Sequence, residues 1–553
     1  MVTIFVSIVR LNRGRMNVSF AISSREAEYS QNLSMEEFRR RNKFKQVKFA
    51  IYLIAFEMIL LCVFLRLARY SFTADASMPE NGVSVALGGG GGRAEVSQLL
   101  KNLTFLGLVQ ILFKGNASSL MQIKAHSCAG QILHLLVIAL GFQLSLICRG
   151  LFYILYQGME EIPLDVHDLS EGMMAAFALS LASMFVIGRT AGIHLIFLIS
   201  VFIPLFNVCK LTNEEIFMVT DPGNALTVHL FAAIFGWTLH IVTLRNKFQP
   251  GSELCAHKLE EKDVWSTFGP ITLFITFPII NAIQAESDAD MGRAIINTIM
   301  AQVGSMVFSL AIMVGVTHIN DRMYDYHVLQ GSFVSGGVAI ASSATLMVQP
   351  HGALIIGLVT GLISTVFYLT IEDLIQARWR LPCTSGLFSF HGIPAFIGGI
   401  TAAILAAISE ARHGTISYHN SLYPIYPARV PDVDSCKNTT CSYTFGEIIS
   451  NYPFLEEKAL GRTAGMQALF QLIGVLMALT LAIMGGLTVG LMNNLSSDKC
   501  GNEFPNTAWN DDSFLLNQRQ RSFRRQSSSK PLRSASNSSE EPLEEPLERP
   551  QDK

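Results

Sequence analysis

The segment LFSFHGIPAFIGGITAAIL, residues 387–405, decides how the rest of the chain is interpreted. It is made of small and apolar residues, and its length matches the ~20 residues that cross the hydrocarbon core of a bilayer as a helix. It also contains one ionisable side chain, His391. A polar side chain inside hydrocarbon costs free energy, so it is rare unless a partner or a function uses it. The segment therefore predicts a membrane-spanning helix with a functional histidine.

The composition of the whole chain favours a membrane protein. Of its 553 residues, 50% are hydrophobic and only 15% are charged, and the mean hydropathy is +0.37. Soluble proteins average about 25% charged residues. The formal net charge of −2 provides no basic surface for nucleic acid, so we expect lipid and not nucleic acid around the protein.

Twelve apolar runs are long enough to span a bilayer. They fall near 47–67, 95–114, 127–150, 169–187, 191–210, 223–244, 266–284, 296–317, 328–347, 351–371, 386–409 and 465–493. Only helices and closed barrels satisfy their backbone groups in lipid, and these runs lack the two-residue alternation of a barrel. The sequence predicts an all-α polytopic membrane protein with 12 transmembrane helices.

Basic residues orient these spans. The stretch RRRNKFKQVK precedes the first span and places the N-terminus in the cytosol. An even number of spans returns the C-terminus to the same side. We expect a multi-pass plasma membrane protein with both termini cytosolic.

The chain divides into a membrane domain and flanking segments. We expect a cytosolic segment at 1–46, a membrane domain at 47–495 and a disordered, Ser- and Glu-rich cytosolic tail at 496–553. Within the membrane domain, 75–95 and 410–462 read as extracellular loops without regular structure.

The loop 410–462 contains the one cysteine pair of interest. Cys436 and Cys441 flank a sequon at Asn438, which is a candidate for N-glycosylation if the loop is extracellular. The pair is compatible with a small disulfide and equally with two reduced thiols. The other cysteines show no C-x-x-C spacing, so the sequence indicates neither a metal site nor any other cofactor.

Two histidines occupy matching places in two spans that enter the membrane from opposite faces. His229 follows Asp221 by eight residues, and His391 follows Cys383 by eight. Asp221 with Pro222 predicts a capped helix start with proline at the first helical position. Antiparallel helices of this kind bring both rings to the midplane, as an inverted repeat around a central site requires. The alternative is that each ring simply binds a backbone carbonyl.

A third histidine, His240, lies three helical turns after His229 on the same face and near the cytosolic end. We interpret it as an interfacial residue. The spans contain no H-E-x-x-H and no paired aspartates, and the Cys383 thiol has no evident partner base, so an enzyme is not expected.

The histidine motifs occur with further segments that resemble the Rh glycoprotein branch of the ammonium transporter superfamily. The resemblance covers about 165–495, is fainter over 45–164, and is absent from both tails and from 410–462. The segments that carry it are RAIINT (293–298), GGVAIAS (336–342), GALIIGLVTGLIST (352–365), HGIPAFIGGI (391–400) and MGGLTVGL (484–491).

This resemblance implies a fold, an assembly and a site. It implies twelve spans with an inverted five-helix repeat, a homotrimer, and one hydrophobic pore through each subunit. It also implies that His229 and His391 are the twin pore histidines, and that Asp221 is the aspartate near the outer mouth.

The chain departs from the family pattern at four positions. The family's two gate phenylalanines align with Met174 and Thr272, while Phe177 and Phe274 lie nearby out of register. Cys383 and Ser389 stand where the family often has Asp and Asn. The acidic symmetry between the two ends of the pore is therefore expected to be lost.

The expected function is a membrane channel for ammonia/ammonium, in which ammonium loses its proton and NH3 passes the twin histidines. A narrow apolar pore favours the neutral amine by desolvation. Two alternatives stay open within transport, a CO2 gas channel and an electrogenic ammonium carrier. A third is a non-conducting structural membrane protein of the Rh type.

Overall fold

The computed structural model describes most of the membrane domain. The described residues are 47–70, 127–187, 190, 192–245, 264–283, 285, 288–317, 326–346, 348–382, 384, 386–409, 422–431, 446, 448–450 and 453–498. Within them lie eleven helices of sixteen or more residues. These are α1 Val47–Leu67, α2 Ser127–Gln157, α3 Val166–Met184, α4 Gly192–Ile216, α5 Ala225–Leu244, α6 Val264–Ile283, α7 Asp288–Thr317, α8 Tyr326–Ala341, α9 Pro350–Trp379, α10 Phe388–Ile408 and α11 Ala464–Asp498.

Eight of these helices are long and apolar enough to cross a membrane, namely α1, α2, α4, α5, α7, α9, α10 and α11. Helices α6 and α8 contain shorter apolar stretches, and α3 carries two acidic residues in its first half. The eleven helices coincide with eleven of the twelve predicted spans. The prediction of a polytopic helical protein is confirmed, and the remaining span, 95–114, lies outside the described residues.

The helix limits differ from the predicted ones where polar residues continue a helix. Helix α7 begins at Asp288, eight residues before the predicted span, and α9 continues to Trp379, eight residues beyond it. A hydropathy window ends at the first cluster of charges, whereas the backbone hydrogen bonds of a helix do not. The extension of α9 takes an acidic residue, Glu372, into the packed part of the molecule.

A short parallel strand pair joins the end of α1 to the α2–α3 connection. Ala68–Tyr70 pairs with Ile162–Leu164, and Arg69 contacts Glu161 at 3.4 Å. The pair was not predicted, because three residues are too few to show an alternating pattern.

Small residues allow α7 and α9 to pack closely. A Cβ added at Gly357 would meet the backbone of Ala301, and one at Gly361 would meet the backbone of Ser305. Close approach at small residues is how helices associate in lipid. This accounts for the glycine spacing of the segment GALIIGLVTGLIST.

Helices α5 and α10 begin with the same unusual local structure. Each starts with a π-helical turn, Ala225–Leu230 in α5 and Phe388–Gly392 in α10. A left-handed residue precedes each turn, Asn224 with φ 56° and Gly386 with φ 73°. The two left-handed residues have the same separation in sequence, 162 residues, as the two histidines. The two ends of the site are thus built on one repeated backbone plan.

Part of the predicted loop 410–462 is folded, which corrects the expectation that it lacks regular structure. Ala428 in the turn Pro427–Arg429 is buried next to the buried Tyr426, and the backbone N–H of Arg462 donates to Ala428 O at 2.8 Å. Thr220 Oγ1 donates to Ile425 O at 2.6 Å and joins this segment to the α4–α5 connection. Aromatic burial and backbone pairing stabilise this segment.

Several predictions concern positions outside the described residues. They are the segment 1–46, the loop 75–95, Cys383, Cys436, Asn438, Cys441 and the part of the tail beyond Asp498.

Candidate functional site

The structure brings His229 and His391 together. Their Nδ1 atoms lie 3.1 Å apart, and the ring centroids lie 5.2 Å apart with an interplanar angle of 22°. The side chains are buried, with 3% and 6% of their residue surface exposed. Each ring lies in one of the π-helical turns, a feature common at functional sites. The predicted juxtaposition is present in the structure.

The Nδ1–Nδ1 contact fixes the proton arrangement of the neutral pair. One Nδ1 must carry the hydrogen and the other must accept it, so the two rings are opposite tautomers. One Nε2 is then a bare acceptor and the other is an N–H donor. The pair therefore presents one acceptor and one donor to a small molecule beside it. If the two rings exchange tautomers, the acceptor Nε2 becomes the donor and the donor becomes the acceptor.

Two phenylalanines contact the ring of His229. Phe177 of α3 meets it edge-on, with centroids 6.0 Å apart, and Phe277 of α6 stacks on it at 5.8 Å and 27°. Phe277 was not singled out from the sequence. The signal available was its position three residues after Phe274; in the structure the Phe277 ring packs against Gly337 of α8, where a Cβ would lie 2.6 Å from it.

The other gate candidates lie elsewhere. Phe274 packs against Phe333 of α8, with centroids 5.1 Å apart. Met174 is buried in the same hydrophobic core as Phe177. Thr272 is half-buried in α6, and its carbonyl accepts a hydrogen bond from Thr276 Oγ1 at 2.8 Å.

Asp221 lies in the α4–α5 connection and holds the start of the His229 turn. Its Oδ2 accepts from the N–H groups of Leu226 at 2.9 Å and Thr227 at 3.1 Å, and its Oδ1 accepts from Ser342 Oγ at 2.6 Å.

The predicted capping role of Asp221 is present. The prediction for Pro222 is wrong, because Pro222 lies in a turn and the helix begins at Ala225. Burial raises the pKa of the Asp221 carboxyl, while its hydrogen bonds act in the opposite direction.

A buried lysine supports the same end of the site. Lys210 of α4 has 1% of its surface exposed, and its Nζ lies 3.0 Å from both Glu171 Oε2 and Glu214 Oε1. The same Nζ donates to Asn224 Oδ1 at 2.7 Å. Lys210 therefore pairs with two acidic groups, one of which, Glu171, also lies 3.6 Å from Arg149, and it binds the left-handed residue that begins the His229 turn. Sequence reasoning missed it, because it closes an apolar run and looked like a boundary residue.

A buried glutamate lies at the corresponding place beside the His391 turn. Glu372 of α9 has 1% of its surface exposed. Its Oε1 accepts from Thr384 Oγ1 and from Gln376 Nε2 at 3.1 Å, and its Oε2 accepts from Ser389 Oγ. Sequence reasoning missed Glu372 too, because it comes just after the predicted end of its span.

His240 is not interfacial, which corrects the expectation from the sequence. It is fully buried, with Nδ1 2.7 Å from Phe185 O and Nε2 3.1 Å from Pro382 O. The ring bridges α3 to the segment before α10. As for metal sites, the described ranges contain no group of three or more His, Cys, Asp or Glu side chains that could hold a metal ion.

Comparison with known proteins agrees with this geometry. The sequence profile of the Ammonium Transporter Family matches residues 114–500. Ammonium transporter Rh type C of Rattus norvegicus is 26% identical over 360 residues, which is 65% of this chain and 65% of that protein, just under two thirds of its length. Ammonium transporter Rh type B of Xenopus tropicalis is 24% identical over 458 residues, covering 81% of this chain and 89% of that protein.

A solved structure shares the fold. The structure described as "Nitrosomonas europaea Rh50 and mechanism of conduction by Rhesus protein family of channels" aligns with a TM-score of 0.53 at 18% identity, covering 78% of this chain and 99% of that one. The family profile spans well over half of the sequence, and both curated relatives are Rh proteins. The chain is a multi-pass membrane protein that belongs to the ammonium transporter family, in its Rh branch.

Proposed function

We propose that this protein is an ammonia/ammonium channel in which the His229–His391 pair is the conduction site. The observation that carries the proposal is the 3.1 Å contact between the two Nδ1 atoms inside an apolar, aromatic environment. Two neutral rings there leave polar nitrogens for a small polar molecule and no fixed charge for an ion. That environment favours NH3 over NH4+, because desolvation penalises the charged form.

Asp221 recruits ammonium at its end of the path. Its Oδ2 accepts three hydrogen bonds, from the two N–H groups and from Thr227 Oγ1 at 3.3 Å, whereas its Oδ1 accepts one, from Ser342. Oδ1 is thus the less occupied of the two oxygens, and it is the one that accepts an ammonium N–H in this proposal. Asp221 as a whole residue is half-buried, so this end of the path is partly exposed.

The aromatic contacts exclude water from the histidines. Phe177 and Phe277 cover His229 on two sides and form the gate in this proposal. A carrier of hydrated ions would need polar groups here, whereas the rings present carbon.

Assembly and location follow the family. We infer a homotrimer in the plasma membrane with cytosolic N- and C-termini, and the Asp221 end facing outward. In that orientation, Asn438 is glycosylated and Cys436 and Cys441 face an oxidising compartment that favours a disulfide. The segments keep the limits given above, with 1–46 and 496–553 in the cytosol. No catalytic step is assigned to any residue.

Ammonia uptake into proteoliposomes tests the function. Stopped-flow measurement of internal pH compares wild type, empty vesicles and a variant with His229→Ala and His391→Ala together, with membrane current recorded in parallel. Fast uptake without current, abolished in the double variant, is the expected result. Uptake no faster than in empty vesicles contradicts the proposal and favours a structural Rh protein.

The same vesicles separate the remaining alternatives. Current that follows ammonium concentration identifies an electrogenic carrier. CO2 uptake that exceeds the empty-vesicle rate, with no ammonia uptake, identifies a gas channel for CO2.

A further inference from the structure

The structure assigns an additional residue to the site. We propose that Glu372 is the positioning residue for His391, the counterpart of Asp221 at the opposite end of the histidine pair. This rests on the proposed function, in which the His229–His391 contact conducts ammonia. The sequence patterns do not point to this position, and the acidic group expected at Cys383 is replaced by one from another helix.

The hydrogen bonds of Glu372 converge on the segment that carries His391. Thr384 and Ser389 donate their hydroxyls to it, and the backbone N–H of Gly386 also donates. Gly386 is the left-handed residue that begins the turn, and Ser389 precedes His391 by two residues. Glu372 thus fixes the beginning and the middle of the turn at once.

Asp221 binds the His229 turn in the same pattern. The hydroxyl of Thr227, which precedes His229 by two residues as Ser389 precedes His391, lies 3.3 Å from Asp221 Oδ2 and 3.1 Å from Asn224 Oδ1 and shares its one hydrogen between them. Both carboxylates also accept backbone N–H groups at the start of a π-helical turn. The two acids therefore do the same structural work, although one comes from the preceding connection and the other from α9.

The charge environment shows that Glu372 is held by this network alone. Within the described residues, no Lys or Arg side chain forms an ion pair with Glu372, and its partners there are hydroxyl, amide and backbone donors. A buried acid without a cation is costly to keep unless it is needed. The hydrogen bonds to the His391 turn are what retain it.

The experiment compares Glu372→Gln, Glu372→Asp and a matched control, Asp373→Asn. Asp373 is the adjacent residue and is exposed, so its substitution removes a neighbouring charge without removing a hydrogen bond to the turn. Ammonia permeability is measured per folded protein in vesicles, and each variant is also built on the His391→Ala background. We expect Glu372→Gln to lower permeability about tenfold, Glu372→Asp to recover part of it, and Asp373→Asn to leave it unchanged.

The His391→Ala background shows whether Glu372 acts by positioning His391 or by stabilising the protein as a whole. His391→Ala removes most of the conduction, so the comparison uses the residual permeability above that of empty vesicles; if Glu372 acts through His391, Glu372→Gln does not lower that residual further, because the residue it positions is gone. An equal loss in both backgrounds overturns the proposal. The proposal is also overturned if the Glu372→Gln protein is less stable than wild type but conducts ammonia normally per folded molecule.

A spectroscopic readout separates this proposal from the function on which it rests. Ring 15N resonances of His229 and His391 in lipid report their Nδ1 contact directly. We expect Glu372→Gln and Glu372→Asp to shift both rings, and Asp373→Asn to shift neither. If wild type conducts no ammonia but the Glu372 substitutions shift both rings, the proposed function is wrong and the positioning role is supported. If the Glu372 substitutions shift neither ring, the positioning role is overturned.

Discussion

The two ends of the histidine pair share a backbone plan and differ in charge. At one end, Asp221 binds the His229 turn and Lys210 binds its left-handed residue, Asn224. At the other end, Glu372 alone binds both the His391 turn, through Ser389, and the left-handed residue that begins it, Gly386. Lys210 precedes His229 by nineteen residues, and Glu372 precedes His391 by nineteen, so the two buried charges of opposite sign occupy equivalent positions.

This difference shows what the repeat requires. The left-handed residue, the π-helical turn and a carboxylate bound to the hydroxyl two residues before the histidine occur at both ends. The origin of that carboxylate and the sign of the neighbouring charge vary. The constraint is therefore on the position of the ring, and different side chains satisfy it.

The largest expected effect comes from removing the buried lysine. Lys210→Met removes the cation that Glu171 and Glu214 share, leaves Glu171 with Arg149 at 3.6 Å, and removes one hydrogen bond to Asn224. Breaking a buried ion pair on one side costs about 3–5 kcal/mol, so we expect strong destabilisation and low surface expression. Thermal unfolding in detergent measures it.

A surface pair provides the control for Lys210. Lys458 contacts Glu215 at 3.7 Å with both side chains partly exposed. Lys458→Met should change stability by less than about 1 kcal/mol. Equal effects of the two substitutions would contradict the view that the Asp221 end depends on a buried cation.

A smaller effect tests the left-handed residue of the opposite end. Gly386→Ala places a Cβ at φ 73°, and that Cβ lies 2.7 Å from the Phe390 ring. We expect a loss of about 1–2 kcal/mol from the backbone conformation, with lower ammonia permeability because the His391 turn shifts.

Gly292→Ala is the matched control for Gly386→Ala. A Cβ at Gly292 of α7 meets no atom within 4 Å, so this substitution should be neutral or slightly stabilising. If Gly386→Ala behaves like Gly292→Ala in thermal unfolding and in uptake, the left-handed start is not required at that end.

The smallest effect is a pH dependence at Asp221. Asn caps a helix about as well as Asp, so Asp221→Asn should change stability little at low pH. Because the folded protein raises the pKa of Asp221, the unfolded chain loses this proton first as pH rises. Wild-type stability should therefore fall relative to Asp221→Asn from about pH 4 upward.

Unfolding midpoints of both proteins across that pH range measure the difference. A difference that stays constant with pH, or that changes in favour of wild type, would contradict the burial of Asp221 described above.

The sequence predicted the helices and the histidines but not their supporting charges. His229 and His391 were found because equal spacing from the start of two opposed spans is a local pattern. Glu372 was missed because hydropathy ends the span at 371, whereas α9 continues to Trp379 and takes the glutamate inside. Its partners Thr384 and Ser389 lie twelve or more residues away, and no local pattern links them.

Lys210 and Phe277 were missed for a related reason. The importance of Lys210 depends on Glu171 from another helix, and that of Phe277 on contact with His229. Aligning the sequence with the family pattern pointed to Phe274, but in the structure the ring of Phe274 packs against Phe333. Contacts between helices are a property of the packed fold.

The most direct test of this account is whether the two histidines act as one unit. Ammonia permeability is measured for His229→Ala, His391→Ala and the double variant at equal protein density in vesicles. The account predicts that each single substitution abolishes most of the conduction and that the double variant is no worse than either, because the Nδ1–Nδ1 contact needs both rings. Wild-type conduction in either single variant, or losses that add in the double variant, would contradict it.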